Sequence, residues 1–191
     1  MYGSAGITIT TNENWESITK TRYVDVDTNH MFIRIDSPVK PTKINLSEID
    51  FDYELIAISD YNKGYISEQD IQWITEKHNN VFIDTKKHLG NWINKAKIIK
   101  INNVEYDLTK STLSKEVDQK IIKTMGKDGC MYKNVVYPVT PVNVMDVSGA
   151  GDTFLAALIV KYLQTQDIQQ SIISANLCAS HVVSRRGVSV I

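Results

Sequence analysis

Short apolar runs alternate with stretches of helical spacing along most of the chain from Glu54 onward. The runs cover residues 55–59, 81–83, 98–101 and 121–125. Apolar runs of this kind, separated by helices, are typical of strands in a parallel sheet that is covered on both faces. The pattern therefore predicts an α/β fold with a mainly parallel central sheet.

Two other segments show the two-residue alternation of apolar and polar positions that is typical of paired strands. Thr21–Asp27 and Met31–Asp36 are alternating runs rich in Thr, Ile, Val and Tyr, and a polar turn at positions 28–30 joins them. They predict a β-hairpin. Cys130–Val139 predicts a second hairpin, which turns near Lys133 and Asn134.

Helical spacing is clearest in the last third of the chain. The first long helix there has one apolar face, and a second helix is expected from Asp167 to Val183. An earlier helix is expected to start at Ser67 and to bury Ile71 and Ile74. The apolar residues of these helices are expected to form core and no site. The apolar face of the first long helix is made of Phe154, Leu155, Leu158, Ile159, Tyr162 and Leu163.

Composition narrows the class of protein. The chain has 191 residues, 42% of them hydrophobic and 23% charged, with a net charge of -1, which predicts one globular domain over 1–191 and no nucleic-acid partner. The longest apolar run, Phe154–Val160, is too short for a membrane span, and the N-terminus has no secretory pattern. The two cysteines, Cys130 and Cys178, fit neither a zinc site nor a disulfide framework, so a reducing cytoplasm is expected.

The strongest candidate for chemistry is the segment from Asp146 to Phe154, where a loop enters the first long apolar helix. Gly149 and Gly151 permit tight backbone geometry and leave amides uncovered by side chains. The first N–H groups of a helix have no internal partners, and the helix dipole attracts an anion to that end. The segment therefore predicts a phosphate site.

Asp152 has two interpretations that the spacing alone leaves open. It can be an N-cap or first-turn acid that stabilises the helix by about 1 kcal/mol. It can equally be a general base that takes a proton from a hydroxyl while neighbouring amides stabilise a transferred phosphoryl group. Two other phosphate motifs are absent from the sequence, the Gly-x-x-x-x-Gly-Lys-Ser/Thr loop and the three-glycine dinucleotide fingerprint.

Residues 146–154 resemble the signature of the ribokinase-like (PfkB) family of carbohydrate kinases, Asp-Thr-Thr-Gly-Ala-Gly-Asp-Thr-Phe, and depart from it only at Val147 and Ser148. The resemblance implies that Asp152 is the catalytic base. It also implies that Gly149, Ala150 and Gly151 form the anion hole, and that Asp146 orients this loop at the nucleotide site.

Further stretches resemble the family's nucleotide-binding motifs in the right order. Asn102 and Glu105 resemble Asn-x-x-Glu, whose acid helps to place magnesium, through indirect contact, and the phosphates; taken alone, they indicate a helix start. The other residues that the resemblance assigns to nucleotide binding are Lys100, the Thr-x-Gly-x-x-Gly turn at Thr124, Gly126 and Gly129, and Asn176 in the wall of the adenine site. On their own these stretches indicate an ordinary glycine turn and a capping or surface polar residue, and Gly187 matches a C-terminal family glycine only weakly.

Within the family, the resemblance is closest to the heptose 7-phosphate kinase branch. The matching segments are Lys20 to Arg22, Ile33 to Asp36, Ser59 to Gly64 and Asp84 to Lys86. They imply sugar-phosphate contacts from Lys20, Arg22, Asp60 and Lys63. Without the resemblance, these residues indicate strand-edge charges and a polar turn.

The resemblance implies a three-layer α/β/α fold that lacks the N-terminal part of the family, with a lid-related hairpin at 19–36 and a nucleotide-binding core at 54–191. ATP and Mg²⁺ are the expected cofactors, with a monovalent cation as a further candidate. The implied reaction transfers the ATP γ-phosphoryl group to a sugar or sugar phosphate, with heptose 7-phosphate first. The alternatives are a non-catalytic nucleotide-binding remnant and one half of a split kinase. The hairpin is expected to support a homodimer, because uncovered strands invite association.

Overall fold

The backbone of the computed structural model divides into two compact units, which are described here for residues 6–13, 15–28, 30–38, 41–185 and 187. The smaller unit comprises residues 1–50 with 63–67. The larger unit comprises residues 51–62 with 68–191.

The smaller unit contains the predicted N-terminal hairpin. Strands β1 (Lys20–Val24) and β2 (Met31–Asp36) pair antiparallel. The Asp25 carboxylate accepts hydrogen bonds from the backbone N and the hydroxyl of Thr28, which fix the start of the turn and lower the pKa of Asp25. The first hairpin is therefore confirmed, although position 29 of its predicted turn lies outside the described residues.

The hairpin has one mainly apolar side, which we call the apolar hairpin face. Thr21 lies opposite Ile35 and Tyr23 lies opposite Ile33 in the strand register. Tyr23, Ile33 and Ile35 are each more than half exposed. The other side carries Lys20 opposite Asp36 and Arg22 opposite Arg34.

The larger unit is an α/β structure. The two long C-terminal helices, α4 and α5, agree with the predicted helices, and the second predicted hairpin is formed by β7 and β8, whose turn residues Lys133 and Asn134 adopt positive φ angles. Its elements are β3 (Ile56–Asp60), α1 (Glu68–Lys77), β4 (Val81–Thr85), β5 (Ile98–Asn102), α2 (Asn103–Thr109), α3 (Lys115–Asp118), β6 (Ile121–Thr124), β7 (Cys130–Tyr132), β8 (Val135–Tyr137), α4 (Ala150–Thr165) and α5 (Ile168–Val183).

The central sheet of this unit has the strand order β3-β4-β5-β6-β7-β8 among the residues described. The first four strands run parallel, and β7 and β8 add antiparallel. The prediction of a mainly parallel sheet is confirmed. In such sheets, ligands bind beyond the carboxyl ends of the strands, so a site is expected at that edge.

Both faces of the sheet are covered, because side chains on both faces are buried. Phe82, Ile98 and Ile122 pack in one cluster with apolar residues of α4 and α5. Their neighbours along the strands point to the opposite face, and among these Ile83 and Ile99 are fully buried. The uninterrupted apolar runs of the sequence thus follow from burial on two sides.

The face under α4 changes from apolar to charged toward the carboxyl edge. Asp84 follows Phe82 by two residues and Lys100 follows Ile98 by two, so each keeps the orientation of the core residue before it. Asp84 and Lys100 are register partners on β4 and β5. The strands therefore place an acid and a base side by side where the core under α4 ends.

The C-terminal helices are joined by a short, well-capped connection. Gln166 closes α4 in a left-handed conformation, and the Asp167 carboxylate accepts hydrogen bonds from the backbone N–H groups of Gln169 and Gln170. These bonds hold the pKa of Asp167 below its usual range. No helix in the described ranges is long and apolar enough to cross a lipid bilayer.

Leu158 tests how far stability depends on the packing of α4. Its side chain is fully buried in the cluster with the sheet, so Leu158→Ala is expected to lower the free energy of unfolding by about 2–5 kcal/mol. Val160 on the same helix is 55% exposed, and Val160→Ala should stay within about 0.5 kcal/mol of the parent. Urea unfolding measures both, and equal losses would contradict this packing.

Candidate active site

The N-terminus of α4 begins without a side-chain cap. Gly149 precedes the helix at φ 80°, a left-handed conformation that glycine adopts without strain, and it has no side chain to cap the helix. The loop before it is fixed by Asp146, whose carboxylate accepts a hydrogen bond from Ser148 N at 2.8 Å. Ala150 N donates to the carbonyl oxygen of Val147 at 3.3 Å, and the anion role of residues 149–151 stays a prediction.

A buried ion pair lies directly beneath this helix start. Lys100 Nζ is 2.5 Å from Asp84 Oδ2, and both residues are at most 5% exposed. A Cβ atom at position 151 would lie 2.9 Å from Lys100 Nζ. A side chain at position 151 would therefore require this ammonium group to shift, and Lys100 adds positive charge beside the first turn of α4.

The charge network continues from Asp84 to Glu105. Lys86 Nζ lies 3.5 Å from Asp84 Oδ1, which has no hydrogen-bond partner among the described residues, and 2.7 Å from Glu105 Oε1. Burial lowers the pKa of Lys86, but the hydrogen bond to Glu105 and the charge of Asp84 outweigh it and raise the pKa above its usual value. Lys86 is thus a firmly charged cation between two carboxylates.

Asn102 and Glu105 form a reciprocal helix cap. Asn102 Oδ1 accepts from Glu105 N, and Glu105 Oε2 accepts from Asn102 N. The helix-start interpretation of these residues is thereby confirmed. The cap also fixes Glu105 with its second oxygen toward Lys86, at the same edge of the sheet as Lys100.

Glu105 is the residue that the sequence resemblance assigns to the indirect placement of magnesium. No cluster of three or more His, Cys, Asp or Glu side chains that could hold a metal ion exists within the described ranges. Magnesium characteristically takes one or two protein carboxylates and completes its shell with substrate phosphates and water. The role of Glu105 toward magnesium stays a prediction, and Lys86 is the cation beside it.

Asp152 lies in the first turn of α4 and accepts a hydrogen bond from a residue that follows strand β3. Tyr61, in the loop after β3, donates its hydroxyl to Asp152 Oδ1 and Oδ2, each at 2.9 Å. Burial, the hydrogen bond to Asp152 and the charges of Asp152 and Asp84 raise the pKa of Tyr61 well above its usual range. The phenol therefore stays protonated and acts as a donor to the carboxylate.

Asp60 is buried at the end of β3 and is engaged inside the protein. Its Oδ2 lies 3.0 Å from Lys87 Nζ and accepts from the Thr85 hydroxyl at 2.7 Å. Its Oδ1 accepts from Asn62 N, so the cluster closes the loop that carries Tyr61. The contact of Asp60 with a substrate stays a prediction.

The glycine turn after β6 and helix α5 both approach the backbone carbonyl oxygen of Tyr137. Gly129 has φ 84°, and a Cβ atom there would overlap the carbonyl oxygen of Tyr137. The same carbonyl accepts a hydrogen bond from Asn176 Nδ2 at 2.9 Å. Two predicted nucleotide residues, Gly129 and Asn176, therefore meet at this oxygen, while Gly126 turns the chain at φ 59° and Thr124 ends β6.

A cleft of about 460 Å³ opens beside Asn176, a volume typical of small-molecule sites. Its walls come from β8, the loop after it and α5. Six apolar side chains and Tyr137 line it together with five polar side chains. The lining residues are Val136, Tyr137, Pro138, Val139, Thr140, Val142, Ile173, Asn176, Leu177, Ser180, His181 and Ser184.

The remaining predicted sugar-phosphate residues lie in the smaller unit. Lys20 and Arg22 are exposed on β1, and Lys63 is exposed in the segment 63–67. Gly187, the weak C-terminal match, has φ 75°. The substrate roles of Lys20, Arg22 and Lys63 stay predictions.

Sequence reasoning gave no role to Tyr61, Asp84 and Lys86, although each stands in a recognised segment. Tyr61 and Asp152 are 91 residues apart, so no local pattern could pair them. For Asp84 a signal was present, because an acid in one apolar strand run and Lys100 in the next indicate a buried pair across neighbouring strands.

The cysteines test the packing behind Asn176. Cys130 is fully buried, and burial raises the pKa of its thiol to about 12, while Cys178 on α5 is partly exposed. Because the thiolate is the reactive form, iodoacetamide at about pH 8 is expected to label Cys178 and to spare Cys130 in the folded chain. Peptide mass spectrometry reads the result, with urea-unfolded protein as the control in which both react. Equal labelling in the folded state would contradict it.

Curated relatives match most of the chain at modest identity. The bifunctional protein HldE of a Nitratiruptor species is 28% identical over an alignment of 203 positions, which covers 92% of this chain and 43% of that protein. The ribokinase of Bacillus subtilis is 42% identical over 65 residues, 32% of this chain and 22% of that protein. The chain thus spans less than half the length of these relatives.

Solved structures show the same fold. The ribokinase of Thermotoga maritima superimposes with a TM-score of 0.67 at 20% identity, over 88% of this chain and 64% of that one. The nucleoside kinase of Burkholderia thailandensis in complex with inosine gives 0.66 at 19% identity, over 89% and 63%. The expected ribokinase-like fold is confirmed.

Residues 66–190, about two thirds of the chain and all of the α4 site, match the pfkB family of carbohydrate kinases. The match covers the Asp152 segment, the Glu105 cap, the glycine turn and Asn176. The chain therefore belongs to the pfkB carbohydrate kinase family.

Proposed function

We propose that this chain transfers the γ-phosphoryl group of ATP to a hydroxyl of a sugar or sugar phosphate, with heptose 7-phosphate as the leading acceptor. One observation carries the proposal. Asp152 stands in the first turn of a helix whose open N-terminus lies over the buried ammonium group of Lys100.

The proposed chemistry divides between a base and an anion site. Asp152 takes the proton of the acceptor hydroxyl as that oxygen attacks phosphorus. The amides of Gly149 and Gly151 and the charge of Lys100 stabilise the negative charge on the transferred group. Burial makes Lys100 effective, because a charge held away from water interacts more strongly with the phosphoryl oxygens.

The nucleotide is proposed to occupy the cleft beside Asn176. An apolar cleft of this volume suits a flat heterocycle, and a few polar groups can orient it. Glu105 would hold the magnesium ion that accompanies ATP, and Lys86 beside it would bind phosphate oxygens. The metal supplies charge neutralisation of the phosphates.

The heptose 7-phosphate assignment rests on sequence resemblance. The loop from Ser59 to Gly64 and the strand pair with Lys20 and Arg22 resemble the heptose kinase branch, and HldE proteins are among the relatives. A phosphorylated acceptor would need cations, and Lys20, Arg22 and Lys63 are the residues proposed to supply them.

A second candidate function is the alternative that the sequence resemblance leaves open. A nucleotide-binding remnant, or one half of a split kinase, would keep the α4 site and the cleft without a complete acceptor site. Binding of Mg-ATP without sugar-dependent turnover would favour this candidate.

Asp152→Asn is the first test of the kinase. ADP release from Mg-ATP is measured with heptose 7-phosphate and with common hexoses. The substitution is expected to lower kcat by about 10²–10⁴-fold, because general-base catalysis is lost, while Mg-ATP binding measured by calorimetry stays within about threefold.

The matched control is Asp107→Asn, which removes an acid from the exposed side of α2. It is expected to leave turnover unchanged. Sugar-dependent turnover that survives in Asp152→Asn would contradict the assigned base, and no turnover of the parent with any sugar would shift the proposal to the second candidate.

We also propose that two copies of the chain associate through the apolar hairpin face. A self-complementary patch is the usual basis of a twofold dimer, and this face exposes three large apolar side chains side by side.

Ile33→Lys tests this dimer. It places a charge in the apolar hairpin face and is expected to convert a dimer mass into a monomer mass by light scattering at micromolar concentration. Ile9→Lys, a change at an even more exposed isoleucine outside the strands, is the control and should leave the mass unchanged. A monomeric parent would refute the proposal.

A further inference from the structure

We infer that Tyr61 is a positioning residue for the catalytic base: its hydroxyl fixes the direction of the Asp152 carboxylate for the acceptor hydroxyl. The inference deepens the proposed function and rests on it. It assigns a role to a residue outside the α4 signature, in a loop 91 positions away in sequence.

The first support is the shape of the hydrogen bond. Tyr61 Oη lies 2.9 Å from both carboxylate oxygens of Asp152. A single donor placed between the two oxygens defines the direction of the carboxylate and leaves lone pairs on each oxygen for a second donor. An acceptor hydroxyl can therefore bind Asp152 without displacing the phenol.

The second support is the way in which the loop around Tyr61 is held. Both neighbours of Tyr61 contact one buried cation: Lys87 Nζ lies 3.0 Å from Asp60 Oδ2 and donates to Asn62 Oδ1 at 3.1 Å. Lys86 N donates to the carbonyl oxygen of Asp60, which ties the loop to the end of β4. Tyr61 is thus placed by a buried ion pair, although the residue itself is 45% exposed.

The third support is electrostatic. Burial, the hydrogen bond to Asp152 and the charges of Asp152 and Asp84 raise the pKa of Tyr61 well above its usual range. The phenol therefore remains a neutral donor to the carboxylate.

A purely structural role is the competing explanation, because the bond joins the β3 loop to α4. The chain offers a matched control for it. Tyr106 of α2 donates its hydroxyl to Asp118 Oδ1 at the same distance, 2.9 Å, and this bond involves neither α4 nor its loop. Removing each phenol separates the loss of a tyrosine–aspartate bond from the loss of this particular one.

The experiment compares Tyr61→Phe and Tyr106→Phe with the parent in sugar-dependent ADP release at one fixed pH. Tyr61→Phe is expected to lower kcat by about 10- to 100-fold and to leave the KM for ATP within about twofold. Tyr106→Phe is expected to change neither. An unchanged kcat in Tyr61→Phe would overturn the inference, whatever its effect on thermal stability.

A second arm does not depend on turnover. Protein labelled with ¹³C at the aspartate carboxyl carbons is compared by NMR at one fixed pH, and the Asp152 signal is identified by its loss in Asp152→Asn. In Tyr61→Phe this signal is expected to move from its position in the parent, because the carboxylate loses its donor, while Tyr106→Phe leaves it in place. If the parent turns over no sugar, the proposed function fails. The spectrum still decides whether Tyr61 contacts Asp152, and an unchanged signal refutes it.

Discussion

The ion pair between Asp84 and Lys100 is the constraint around which this site is organised. Charges taken out of water are expensive unless they are closely paired, and here the two groups meet at 2.5 Å on neighbouring strands. The position of the pair favours glycine at position 151, because a side chain there would require Lys100 Nζ to shift. The second oxygen of Asp84, Oδ1, faces Lys86, and Lys86 in turn pairs with Glu105. One buried pair thus connects the N-terminus of α4 to the cap of α2.

The carboxyl edge of the sheet carries a second buried ion pair, Asp60 with Lys87. Asp60 and Asp84 lie on opposite faces of the sheet. Asp60 shares its face with Thr85, its register partner, whereas Asp84 points toward α4. The network of Asp60 fixes the loop that holds Tyr61, and the network of Asp84 lies under the helix that holds Asp152. The hydrogen bond between Tyr61 and Asp152 therefore joins two segments, the loop after β3 and the start of α4, each of which lies against a buried ion pair. Preorganised donors of this kind need no rearrangement when charge develops.

Sequence patterns anticipated the larger unit well because β4 and β5 are buried on both sides, and this burial produced their uninterrupted apolar runs. Strand β3, at the end of the strand order, instead alternates between exposed and buried residues. Both hairpins were also within reach, since turn residues such as Lys133 and Asn134 are local signals. The site was only partly accessible. The open start of α4 is a local feature and could be derived from glycine spacing, whereas the contacts of Tyr61, Lys86 and Lys87 join distant segments. Asn102 and Glu105 show a further limit: the cap that explains them as a helix start also orients Glu105, so one pair of residues can serve both the helix and the site.

Gly129 has a consequence for the way in which this chain can diverge or be engineered. Its φ angle and the nearby Tyr137 carbonyl exclude every side chain, and that carbonyl is the acceptor for Asn176. Selection can therefore reshape the cleft only through residues that leave this backbone oxygen in place, such as Val142, Ile173 and Leu177. Gly126, three positions earlier, has open space around its Cα and only a backbone preference to satisfy. A randomised library across this turn would thus tolerate Asn or Asp at the first glycine and return glycine alone at the second.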